Sequence, residues 1–205
     1  MEDRILQVVR VAMSRRSLLR RSMGAAAGLA VFGSIAFNEG QGLAVDLPDD
    51  AAILNFALTL EHLEDRAYRD AIASGKLTGP ALAAAQAYGA QESFHVQLLT
   101  PAIAGMGKTP VSEQATYNFP AFTDQATVIS FLRSLEEVGV GAYTGAARYI
   151  KDKGILAVAG GIVQVEARHA ASLRILDGKA PVPGPLDAVF TPDQTLAKAG
   201  PILGS

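Results

Sequence analysis

Two of the three histidines in this chain stand three residues after a glutamate: His95 follows Glu92, and His169 follows Glu166. Residues three apart share one face of a helix, so each pair delivers a carboxylate and an imidazole to one place. With one glutamate from each of two further helices, they would supply four carboxylates and two imidazoles around a pair of metal ions in a four-helix bundle. Four ionised glutamates against two divalent cations leave a formally neutral site, and burial demands this because unpaired buried charge is very costly. Oxygen-rich donors with two imidazoles suit iron or manganese. Zinc is compatible, whereas the imidazoles disfavour calcium.

The two missing carboxylates are found by face and by repeat. Around Glu136, positions 129, 132, 140 and 143 are Ile, Leu, Val and Tyr, an apolar stripe that turns Glu136 inward. Glu137 has Ser130, Arg133, Ser134, Thr144 and Arg148 on its side and turns outward. Glu61 shares its face with Leu54, Ala57, Leu58, Tyr68 and Ile72, so it too faces inward; Glu64, one turn on, stays open as a second or alternative ligand. The chain also repeats itself. Leu60-Glu61 and Ala67-Tyr68 recur 75 residues later as Leu135-Glu136 and Ala142-Tyr143, while Glu92 and His95 recur 74 residues later as Glu166 and His169. The expected ligand set is therefore Glu61, Glu92, His95, Glu136, Glu166 and His169, on pseudo-twofold halves.

Tyr68 and Tyr143 lie two turns beyond their glutamates and are expected to pack in the core with their hydroxyls on buried carboxylates. His62 follows Glu61 directly, points away from it, and reads as a surface or interface residue. Gly139, Gly141 and Gly145, with Gly160 and Gly161, cost about 1 kcal/mol each in helix propensity and are expected where helices approach closely.

These residues need four long helices. The first is expected from Asp49 or Asp50 to about Ser74, stopped by Gly75; the second from Thr78-Gly79-Pro80 to about Gly105, with Pro101 kinking it. A crossover with Gly107, Pro110 and Pro120 is too long for a tight turn. Thr123 is the expected N-cap of the third helix, which runs to about Asp152; the fourth begins after Gly154 and stops near Asp177-Gly178. A Pro- and Gly-rich tail follows, with one short helix after Thr191-Pro192. Two hairpins joined by a long crossover form an all-α, ferritin-like four-helix bundle with an irregular C-terminal tail.

Composition narrows the alternatives. At 205 residues, 49% hydrophobic and 19% charged, one sizeable core is the default. A net charge of -2 gives no electrostatic footprint for nucleic acid. The chain has no cysteine, which removes disulfides, iron-sulfur clusters and thiolate zinc sites together. Residues 1–44 read as a targeting segment: Ser14-Arg15-Arg16-Ser17-Leu18-Leu19-Arg20 resembles a twin-arginine export signal, and the apolar run Met23 to Phe37 is short for a bilayer span. The folded domain is then 45–205. The expected destination is the periplasm or the extracellular space, reached through the twin-arginine machinery, which carries proteins already folded and loaded with metal.

Asn55-Phe56-Ala57-Leu58-Thr59-Leu60-Glu61-His62-Leu63-Glu64, with Tyr68, the two Glu-x-x-His pairs, Leu135-Glu136, Gly139-Val140 and Ala142-Tyr143, resembles the exported ferritin-like domain family that includes plant desiccation-related proteins. The resemblance spans roughly residues 49 to 203, and the ligand spacing is similar to that of bacterioferritin, rubrerythrin and manganese catalase. It implies a di-iron or di-manganese centre that reacts with dioxygen or hydrogen peroxide, of ferroxidase, peroxidase or catalase type, in oxidative or desiccation stress. No Cys-x-x-Cys segment is present for rubrerythrin-style electron delivery, and nothing in the sequence specifies the cage of true ferritins, although a homo-oligomer is compatible with it. The alternative is a non-catalytic protein of the envelope that sequesters metal or protects other components. A bundle with no metal at all is the third reading.

Overall fold

A computed structural model describes residues 47–204. The export segment expected over 1–44 lies outside the described residues. Four long helices form the body: α1 Asp50–Ala73, α2 Gly79–Gly105, α3 Gln125–Ala146 and α4 Lys153–Leu176, followed by a short α5, Pro192–Leu203. Among the described residues there is no strand, and no helix is long and apolar enough to cross a membrane. α1 packs along α2, α3 along α4, and the two hairpins meet chiefly through α1 and α3, with α5 laid against α3. The architecture is the all-α, ferritin-like bundle of two antiparallel hairpins expected from the sequence.

Local chemistry sets the helix ends. Asp49 caps α1 by accepting from Ala52 N at 2.9 Å, and Gly75, at φ +65°, ends the excursion beyond it. Pro80 sits in the first turn of α2, where its missing N–H costs nothing, and Pro101 lies inside the helix. The cap of α3 is Asp124, not Thr123: its carboxylate accepts from Thr127 N at 2.8 Å, a better acceptor than a hydroxyl, and Thr123 Oγ1 pairs with Thr127 Oγ1 instead.

The third helix is also shorter than expected. It gives way at Ala147–Tyr149 to a single 3₁₀ turn. The reason lies in α1, where the buried carboxylate of Asp50 accepts from both Lys151 N and Asp152 N at 2.8 Å. Those N–H groups would be consumed by the ladder of a helix running to Asp152. Asp152 then caps α4 through Gly154 N, so α4 begins one residue before Gly154.

Two apolar clusters flank the middle of the bundle. One gathers Leu63, Ala67, Tyr68, Leu132, Leu135 and Leu173; the other gathers Leu54, Leu58, Leu98, Leu99, Ile103 and Tyr143. Glu61 lies between them on α1, so the carboxylates occupy a polar layer closed by hydrocarbon on both sides. The crossover is fastened to α1 through Asn55, which donates to Thr109 O at 3.2 Å and accepts from Val111 N at 2.8 Å. His62 is half-buried against the crossover, its Nε2 3.2 Å from Val111 O.

The glycines divide differently from expectation. Gly141 and Gly145 receive the tail, not a helix: Phe190 N donates to Gly141 O at 3.0 Å, and a Cβ on Gly145 would stand 1.7 Å from the Phe190 carbonyl oxygen. Among the described residues nothing lies within 4 Å of a Cβ on Gly160 or Gly161, so these do not mark close packing there. Gly145→Ala is therefore expected to cost about 1–3 kcal/mol by overpacking against backbone and to speed proteolysis within residues 179–191. Gly160→Ala should stabilise by about 0.5–1 kcal/mol, because it relieves only the helix penalty of glycine. Thermal melts and limited trypsinolysis of the two variants read both effects.

Candidate metal centre

Each helix of the bundle contributes to one buried cluster. Glu61 comes from α1, Glu92 and His95 from α2, Glu136 from α3, and Glu166 and His169 from α4; the four carboxylates are 0% exposed. All six residues expected from the sequence are brought together. They form two overlapping groups whose ligand atoms lie within 4.8 Å of one another: Glu61, Glu92, His95 and Glu166 in one, and Glu92, Glu136, Glu166 and His169 in the other. Glu92 and Glu166 belong to both. Each group is capable of holding a metal ion.

The tyrosines cross between the halves. Tyr68 on α1 donates to Oε1 of Glu136 on α3, while Tyr143 on α3 donates to Oε1 of Glu61 on α1. Burial and the adjacent carboxylates raise both phenol pKa values, so the hydroxyls stay protonated and able to donate. Each thus fixes one oxygen of a glutamate and leaves the other to face the cluster. The hydroxyl contacts expected for Tyr68 and Tyr143 are present.

The donor atoms fit a cation better than they fit one another. Among the described residues, Glu92 Oε1, Glu136 Oε2, both oxygens of Glu166 and His169 Nδ1 are buried without a hydrogen-bond partner. His169 Nδ1 stands 3.0 Å from Glu92 Oε1 and 3.3 Å from Glu136 Oε1, yet makes a hydrogen bond with neither. Proximity without hydrogen-bond direction is expected of atoms whose lone pairs converge on a common third point. The ring orientation agrees: His169 Nε2 lies 2.9 Å from the amide oxygen Gln91 Oε1, an acceptor, so Nε2 carries a hydrogen and Nδ1 is the nitrogen turned toward the carboxylates.

Electrostatics says the same. Burial pushes the carboxyls of Glu61, Glu136 and Glu166 above their ordinary range, and those of Glu136 and Glu166 well above it, with Glu92 adding repulsion. For Glu92, burial is outweighed by the His169 and His95 imidazoles, which hold it down at about 2. Burial opposes the imidazolium of His95 too, yet Glu166, Glu61 and Glu92 outweigh it and raise its pKa. Without a cation these charges are balanced only by bound protons.

Three contributors are not legible in the sequence. Gln91 orients His169. Tyr88 stacks on the His169 ring at 4.2 Å between centroids and donates to Ser172 Oγ at 2.5 Å. The third is Gly139, expected from its sequence context to pack against a helix: a Cβ there would stand 2.6 Å from Glu166 Oε2 and 3.0 Å from Glu64 Oε1, so its missing side chain makes room for two carboxylates. Glu64, a possible ligand by its helical face, is buried with Oε2 unpartnered and its pKa raised well up by burial and by Glu166, but it joins neither ligand group. Glu137 turns outward as expected and pairs with Arg133 at 2.7 Å and Arg174 at 2.5 Å.

No curated protein matches this chain at a significant level. A family model described as ferritin-like domain matches residues 49–179, which contain all four long helices and every residue of the cluster, and the chain belongs to that ferritin-like family.

Proposed function

We propose that this chain is an exported di-metal carboxylate protein, related to the desiccation-associated branch of the family, that holds two iron or manganese ions and reacts with dioxygen or hydrogen peroxide. The observation that carries the reading is the convergence of unpartnered, buried donors: His169 Nδ1, Glu92 Oε1, Glu136 Oε2 and both oxygens of Glu166. In this reading Glu92 and Glu166, common to both ligand groups, would serve both ions, while Glu61 with His95 and Glu136 with His169 would complete one position each. The bound pair would supply two-electron redox chemistry and share the charge that develops on an oxidant.

The chain's own residues prepare that chemistry. Tyr143 and Tyr68 hold Glu61 and Glu136 by one oxygen apiece, which would leave the other for a metal ion. The hydrocarbon clusters above and below limit water and strengthen every charge interaction inside. With the four carboxylates 0% exposed, a small oxidant such as dioxygen or peroxide fits the site's access far better than an organic substrate does.

Steady-state assays of the metal-loaded protein with hydrogen peroxide, and with Fe(II) under dioxygen, test the reading. Many turnovers per site are expected, with Glu166→Ala at background. Stoichiometric metal uptake followed by no turnover would contradict it and favour a sequestering or protective protein.

A further inference from the structure

The internal repeat allows the two halves to be compared position by position. On α2 and α4 the offset of 74 relates Glu92 to Glu166 and His95 to His169; it also relates Tyr88 to Ile162, Gln91 to Val165 and Leu98 to Ser172. On α1 and α3 the offset of 75 relates Glu64 to Gly139. The bundle therefore keeps the six expected ligands in symmetric pairs and breaks symmetry immediately around them.

Tyr88, Gln91 and Ser172 all serve His169. Gln91 Oε1 holds Nε2–H at 2.9 Å, Tyr88 stacks on the ring, and Ser172 Oγ anchors Tyr88. Their counterparts, Val165, Ile162 and Leu98, have no side-chain group able to accept a hydrogen bond or stack on His95. The two imidazoles differ accordingly. His169 Nδ1 is unpartnered and already aimed, whereas His95 Nδ1 is engaged with Glu92 Oε2 at 2.9 Å and Glu61 Oε2 at 3.0 Å. A cation entering the His169 group meets an oriented ring. One entering the His95 group must first displace these contacts.

Resting on the di-metal reading above, we propose that the two metal positions are inequivalent: the position formed by Glu92, Glu136, Glu166 and His169 is preorganised and fills first, with Gln91 and Tyr88 as its positioning residues. The position formed by Glu61, Glu92, His95 and Glu166 fills second and is the exchangeable one.

Anaerobic titration of the metal-free protein with cobalt(II), followed by calorimetry and by the visible ligand-field bands, tests this. Two resolved steps are expected. His169→Ala should abolish the tight step and His95→Ala the weak one. The double variant Tyr88→Ile, Gln91→Val, which carries the residues of the other half, should lower the tight-step affinity about 10–100-fold and merge the two steps. Gln91→Glu retains an acceptor for Nε2–H and should retain two steps, a rescue that a purely structural role for Gln91 does not predict. Should the double variant fail to fold, Gln91→Leu against Gln91→Glu makes the same comparison. A single indistinguishable step for two ions, loss of the tight step in His95→Ala instead, or two unchanged steps in the double variant or in Gln91→Leu would overturn the inequivalence alone. Absence of any bound cobalt would overturn it together with the di-metal reading.

Discussion

Glu166→Ala is expected to abolish binding of both ions, whereas Glu61→Ala or Glu136→Ala should each remove one. The difference follows from membership: Glu166, like Glu92, supplies an oxygen to both ligand groups, while Glu61 and Glu136 each serve one. Glu166 Oε1 stands 3.3 Å from His95 Nδ1, which keeps Glu61 Oε2 and Glu92 Oε2 as partners when Glu166 is removed, so the variant should still fold. Without metal it should melt at a higher temperature than the wild type, because it lacks one carboxyl whose ionisation burial opposes. With metal the order should reverse, since only the wild type gains binding free energy. Metal content per chain and paired melts with and without chelator measure all of this. Equal loss of metal in the Glu61, Glu136 and Glu166 variants would contradict the assignment of shared and unshared ligands.

The second large effect is the pH dependence of the metal-free protein. Glu61, Glu64, Glu136 and Glu166 have folded-state pKa values raised by burial. The unfolded chain, with carboxyls near 4.5, releases those protons first, so the metal-free fold loses stability as pH rises above about 4.5 and through the raised values. His95 acts in the same direction. Its pKa is also raised, so its contribution is complete below about 6.5 and is lost as pH rises through the folded value. Glu92 acts oppositely and far lower, its contribution disappearing as pH falls from the ordinary range toward about 2. The melting temperature of chelated protein should therefore fall by several degrees between about pH 5 and 8. Metal-loaded protein should hold or gain over the same interval, since binding two cations takes the place of the bound protons. A chelated protein whose melting temperature rises across this range would contradict the buried cluster itself.

Much of this centre is legible in the sequence because its information is periodic. Spacing of three places Glu92 with His95 and Glu166 with His169, the apolar stripe around Glu136 separates it from Glu137, and the repeat identifies Glu61. The contributors that escape a sequence reading are not periodic. Gln91 and Tyr88 matter because they meet His169 across the bundle, and neighbours 78 or 81 residues away leave no local pattern. Gly139 resembles a helix contact in the sequence because a missing side chain carries no information about what fills the space; two carboxylates do. The early end of α3 has the same origin, since Asp50, about a hundred residues away, withdraws the N–H groups of Lys151 and Asp152. Gly145 is recognisable as a tight contact, but only the fold places Phe190 rather than a helix against it.

The decisive measurement for a di-metal centre is elemental analysis of protein expressed with its N-terminal segment, recovered folded and gently desalted. Two iron or manganese ions per chain are expected, one for each group of donors, falling to near zero in Glu166→Ala. A folded protein that carries no metal, and takes up none when iron(II) or manganese(II) is supplied, would contradict it.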